Sequence, residues 1–126
     1  YRGSVADQFE PYIIPQENGN KTETRWAALV NENGDGVLVI AKELMDVSVM
    51  HYAQKNLSDA LHTYDLDEID GTVLNIDYAQ SGLGNGSCGP DQLSKYCLKS
   101  VPVEFGYKLV PYSIDVCSEM EVYKKL

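Results

Sequence analysis

The chain has 126 residues, 44% of them apolar and 23% charged, which suits one domain with a real core and argues against disorder. Nineteen acidic residues against ten basic ones leave a net charge of −9, a balance that repels nucleic acid and anionic membrane surfaces as partners. No apolar run approaches the ~18 residues of a membrane span. The chain opens at Tyr1 rather than at a methionine, so it reads as a piece of something longer and targeting cannot be taken from it.

Tyr1–Gln8 carries no periodicity and reads as a ragged start. Phe9–Ile14 is a short apolar run broken by Pro11 and closed by Pro15, an edge segment at best. Pro15–Asn20 is dense in turn formers, with Asn18-Gly19 as its strongest pair. From Thr22 to Val30 the pattern alternates with period two, the turn Asn31–Gly36 follows, and Val37–Ile40 completes a predicted β-hairpin. Asp46–Tyr52 alternates again.

Ala53–His62 is the one helix expected, with Leu57, Ala60 and Leu61 forming a one-sided stripe. Asp65–Gly71 reads as an acidic connection, and Val73–Tyr78 as a strand. That strand runs into Ser81–Pro90 (S-G-L-G-N-G-S-C-G-P), where four glycines fall within ten residues. Glycine supplies positive φ and close backbone approach, so a strand delivering such a loop is a common way to hold a functional edge. Beyond it, Asp91–Lys95 reads as a loop return and Tyr96–Leu98 as a short strand. Glu104–Pro111 sets Phe105, Tyr107 and Leu109 on one face, and Ser113–Leu126 reads as a last strand or a tail. Many short strands, turn signals and a single helix predict an antiparallel β-sandwich with roughly 40–50% strand, above the usual ~20–25%.

The residues that could carry chemistry are few. Asp77 ends the strand before the glycine-rich loop, where it either meets a ligand or, more commonly, accepts hydrogen bonds from loop amides. Glu32 follows Asn31 like an acid/base dipeptide but lies in a turn and reads as solvated surface. His51 and His62 are eleven residues apart without a partner at metal-ligand spacing. His51 reads as a half-buried strand histidine, and His62 as a cation closing the helix. Cys88, Cys97 and Cys117 lack C-x-x-C spacing, which suggests neither a disulfide framework nor a zinc site. Free thiols fit better, with a single pair left open, and Cys88 has no base nearby to make it a nucleophile. Glycosylation-type triplets at Asn20, Asn56 and Asn85 carry little weight. Trp26 and Tyr78 could stack on a sugar face, although Trp26 on an alternating strand suits the core. The G-L-G-N-G run fails as a dinucleotide fingerprint, because Pro90-Asp91 does not open a helix.

The ordered motifs E-N-G-N (Glu17–Asn20), R-W-A-A-L (Arg25–Leu29), H-Y-x-x-x-x-L (His51–Leu57), A-L-H-T-Y (Ala60–Tyr64), L-N-I-D (Leu74–Asp77) and G-L-G-N-G-S-C-G-P (Gly82–Pro90) resemble one family. It is the small-chain domain of bacterial β-galactosidases in glycoside hydrolase family two, at its C-terminal part. The resemblance divides the chain into a ragged start at 1–10, the domain portion at 11–112 and an extension at 113–126. It implies an all-β supersandwich related to the galactose-mutarotase-like architecture. It also implies retaining hydrolysis of terminal β-galactosides such as lactose by two glutamates on a separate TIM barrel, so that this portion is catalytically silent by itself.

The same resemblance sends the loop Ser81–Pro90 toward the galactose pocket and makes Cys88, Ser87 and Asn85, with Asp77 at the base, its substrate-side residues. Known members carry tryptophan where this chain has Cys88, and a thiol offers no stacking surface, so a looser aglycone side is expected. No metal or cofactor is implied within this stretch; the Mg and Na common in the parent family belong elsewhere. The implied partners are the remainder of the enzyme with its barrel, galactosides and a homo-oligomer, in the cytoplasm or periplasm of a bacterium. Two other readings stay open: a free-standing carbohydrate-binding β-sandwich and a purely structural assembly module. A severed sandwich leaves apolar faces and strand edges unpaired, which predicts self-association.

Overall fold

The computed structural model describes residues 1–82, 86 and 89–125. The fold is all-β, a mostly antiparallel sheet that forms a fragment of a β-sandwich, with two short α-helices. Its elements are β1 (Lys21–Val30), β2 (Asp35–Tyr52), α1 (Gln54–Asp59), β3 (Glu68–Asp77), β4 (Tyr107–Ser113) and α2 (Glu119–Lys125). The strands lie in the order β1-β2-β3, with β4 also paired to β2. Strands of 10, 18, 10 and 7 residues make just over a third of the chain, less than the sequence pattern predicts.

The chain divides into two compact units, one of residues 1–21 and 46–76, the other of residues 22–45 and 77–126. In the second unit, β1 and β2 form the expected hairpin, closed by Asn31 N donating to Asp35 O at 2.8 Å. β4 pairs antiparallel with the start of β2, from Asp35 opposite Ser113 to Ala41 opposite Tyr107. Leu38, Ile40 and Tyr112 form the buried cluster, and Trp26, Ala28, Val110, Cys117, Val122 and Tyr123 pack against it. Trp26 therefore serves the core.

The first unit buries Val47, Met50, Leu57 and Ala60 beside three polar side chains, Gln8, Asp46 and Ser48. Ser48 Oγ donates to Glu17 Oε1 at 3.0 Å. Asn75 Nδ2 bridges both, donating to Glu17 Oε1 at 3.1 Å and Ser48 Oγ at 3.0 Å. Buried polar groups are tolerated when mutually satisfied, and here they lock the E-N-G-N turn onto β2 and β3. Phe9 packs on Tyr52 with ring centroids 4.9 Å apart.

Several expectations are corrected. β2 does not stop at Ile40 and restart at Asp46; it runs unbroken, because Ala41 and Met45 are buried while Lys42–Leu44 stay exposed within the paired strand. The acidic connection is strand from Glu68 onward. α1 ends at Asp59, which leaves Leu61 exposed and removes His62 from any helix end. His62 instead precedes a 3-10 turn at Thr63–Asp65, its amide donating to Asp65 Oδ2 at 2.9 Å. Tyr96–Leu98 is not a strand, since Ser94–Tyr96 is a 3-10 turn. The tail holds a second helix, α2, begun by Ser118 and Glu121, whose side chains hydrogen-bond each other's backbone amides in a capping box.

Candidate functional site

β3 delivers Asp77 as its final residue, half-buried, at the entrance to the glycine-rich loop. Its Oδ2 accepts a hydrogen bond at 2.8 Å from the side-chain amide of Gln80. That donor is a side chain just before the loop, not one of the loop's backbone amides. Ser81 Oγ accepts from Leu98 N at 3.4 Å, which ties the loop's first residue to its return segment. At the far end, Gly86 N donates to Pro90 O at 3.3 Å. Gly82 at φ 74° and Gly86 at φ 76° occupy the left-handed region, which explains glycine at those two positions. Asn85, Ser87 and Cys88, the other substrate-side residues expected, lie outside the described residues.

Beside the strand's exit, Tyr78 meets Phe105 edge-on at 6.1 Å, and Phe105 packs against Tyr107 at 5.9 Å. A cavity of about 60 Å³ opens there, lined by Lys42, Glu43, Leu44, Tyr78, Glu104, Phe105 and Gly106. Lys42 and Glu104 form an exposed ion pair at its edge. The backbone below is fixed by Lys42 N donating to Gly106 O at 2.9 Å. Such a surface joins aromatic faces to a charged donor and acceptor, groups that suit a hydroxyl-rich ligand. Tyr78 was legible as an aromatic near the loop. Gln80 and the Lys42–Glu104 pair were not, because an i, i+3 amide contact and a pair spanning distant segments leave no periodic trace.

The remaining candidates are structural in what they touch. His51 Nδ1 lies 2.7 Å from Gly71 O, and His62 stacks on Tyr64 at 4.7 Å. Glu32 sits exposed in the hairpin turn. Asn56 holds Asp65 O and Asp67 N through its amide. Cys97 and Cys117 are free thiols. Among the described residues, no group of three or more His, Cys, Asp and Glu is placed to hold a metal ion, and no helix is long and apolar enough to cross a membrane.

Fold and loop together define a fragment of an all-β sandwich that presents a glycine-rich loop from the end of a strand. Its family is shown by comparison. The model of the beta galactosidase small chain matches residues 1–109, and the chain belongs to that family. The β-galactosidase of Staphylococcus xylosus is 36% identical over 106 residues, covering 84% of this chain and 11% of that protein. Those of Actinobacillus pleuropneumoniae and Kluyveromyces lactis are each 32% identical, over 110 and 109 residues. They cover 87% and 86% of this chain and 10% of each relative. The chain thus spans about a tenth of the length of the curated relatives it matches.

Proposed function

We propose that this chain is the non-catalytic C-terminal portion of the small-chain domain of a β-galactosidase, an enzyme that hydrolyses terminal β-D-galactosides such as lactose. The observation that carries the reading is the family match over residues 1–109, in a chain that spans about a tenth of the length of the β-galactosidases it matches. On this reading, the retaining chemistry belongs to two glutamates on a barrel in the rest of the enzyme. Any Mg or Na of the parent is likewise held elsewhere, and the working form is a homo-oligomer.

The chain's own contribution is the loop Ser81–Pro90, bordering the sugar site with Asn85, Ser87 and Cys88 and anchored through Asp77. The hydrogen bond from Gln80 to Asp77 and that from Leu98 to Ser81 support this reading by fixing the point from which the loop departs. Cys88 in place of an indole leaves the aglycone side without a stacking platform. Cys88→Trp in the full enzyme should therefore lower the KM for lactose several-fold, the scale of one aromatic stacking contact of about 1 kcal/mol. Unaltered KM and kcat for lactose would refute the rim assignment.

A further inference from the structure

Three aromatic rings stand in a row where β3 gives way to the glycine-rich loop. Tyr78 meets Phe105 at 6.1 Å and Phe105 meets Tyr107 at 5.9 Å, steps on the scale of one pyranose unit. Tyr78 is 49% exposed and Tyr107 45%, so both keep ring surface in water. Three peptide units separate Tyr78 from Ser81, a reach of no more than about 11 Å, so the row begins beside the loop's first residue. The cleft it borders, about 60 Å³, has the volume of about two waters and cannot enclose a sugar, so the rings form an open shelf. Lys42, Glu43 and Glu104 line the same cleft, with Lys42 and Glu104 paired and their side chains 61% and 82% exposed.

Those charges decide what the shelf suits. A protein surface laid over it would strip water from three charged groups at once, a penalty that contact with a few rings does not offset. A second copy adds the mutual repulsion of two chains of net charge −9. A small anion is disfavoured because two carboxylates line the cleft against one ammonium. A sugar meets both demands: its C–H face stacks on the rings, and its hydroxyls hydrogen-bond to the ammonium and the carboxylates. We propose that Tyr78, Phe105 and Tyr107 form a shelf for the sugar units beyond the terminal galactose of an extended β-galactoside, which makes oligosaccharides rather than lactose the preferred substrate class. The inference rests on the functional assignment above. The shelf supplies the stacking surface that a thiol at Cys88 does not.

The test measures kcat and KM for lactose and for a linear β-linked galactotetraose, in a full β-galactosidase carrying this sequence as its small-chain region. The tetraose should be favoured in kcat/KM by about five-fold or more, the scale of one ring contact. Tyr107→Ser, at an exposed position, should leave the circular dichroism of the 126-residue protein unaltered. In the full enzyme it should raise the KM for the tetraose about five-fold relative to that for lactose. The change should fall on KM rather than kcat, because a contact far from the reacting bond holds substrate and transition state alike. Tyr78→Ser should act in the same direction. A wild-type enzyme without preference for the tetraose overturns the proposal, and so does a Tyr107→Ser effect equal for both substrates. A Tyr107→Ser enzyme that assembles poorly while its KM for the tetraose is unaltered assigns the shelf to a protein contact and overturns it too. Each of these outcomes, in an enzyme that hydrolyses lactose, refutes this inference alone. An enzyme that leaves both substrates intact refutes the functional assignment instead.

Discussion

Ser48→Ala removes the hydroxyl at the centre of the polar knot in the first unit. Ser48 is 1% exposed, so water cannot take the place of the lost group without entering the core. Two hydrogen bonds disappear: Ser48 Oγ to Glu17 Oε1, and Asn75 Nδ2 to Ser48 Oγ. A bond to a charged acceptor contributes about 1.5–3 kcal/mol and a neutral one about 1 kcal/mol. Asn75 keeps its direct bond to Glu17 at 3.1 Å, which limits the damage. The expected loss is about 2–3 kcal/mol, or a urea midpoint lower by about 1–2 M for a slope of about 1.5 kcal/mol/M. Urea unfolding followed by far-UV circular dichroism measures it, and a cycle with Glu17→Gln isolates the charged bond. A Ser48→Ala midpoint within error of wild type would mean that the knot contributes nothing to holding the E-N-G-N turn.

Two further outcomes follow from the same geometry. In α2, the backbone amide and then the hydroxyl of Ser118 hold the Glu121 carboxyl below its ordinary value of 4.5. Because the folded value is the lower one, the cap's stabilisation is present above about pH 4.5 and is lost as pH falls through the folded value. NMR shifts of the Val122 and Tyr123 amides should show this acid step, and Glu121→Gln should abolish it; an unchanged step in the variant would place the titration elsewhere. Gly19 sits at φ 72° with an added Cβ 2.5 Å from Gln8 O, so Gly19→Ala should cost about 2 kcal/mol or more in thermal unfolding. A variant with wild-type Tm would contradict that backbone geometry.

Much of the fold was legible where one physical pattern dominated. Thr22–Val30 alternates because Trp26 and Ala28 on one face pack against the core, Val73–Tyr78 reads as strand from its apolar run, and Asn31–Gly36 turns because its asparagines and glycines permit it. The continuity of β2 was not legible. Lys42-Glu43-Leu44 carries no strand preference and is extended because of the strand it belongs to, with Gly106 bonding to Lys42 N. Tyr96–Leu98 erred the other way: local β-propensity there yielded to a 3-10 turn. Tyr107 and Leu109 share a face of β4 as the pattern says, but which side packs inward was not legible: that face is exposed and Tyr112 is the buried member.

α2 could have been found. Ser118-x-x-Glu121 is a capping-box spelling, with Lys124 and Lys125 suitably placed in the last turn, but the apolar residues around it form too thin a stripe to draw notice. Of the loop residues expected at the sugar side, only Asp77 is described. Its partner Gln80 was out of reach because a local amide contact has no periodic signature.

The most direct test of the central claim is a crystal structure of the full β-galactosidase carrying this chain, with a non-hydrolysable galactoside bound. The account predicts Ser81–Pro90 in contact with the aglycone side of that ligand, Cys88 facing it, and the catalytic carboxylates contributed from outside residues 1–126. A galactoside bound far from that loop, or catalytic carboxylates drawn from this chain, would contradict it.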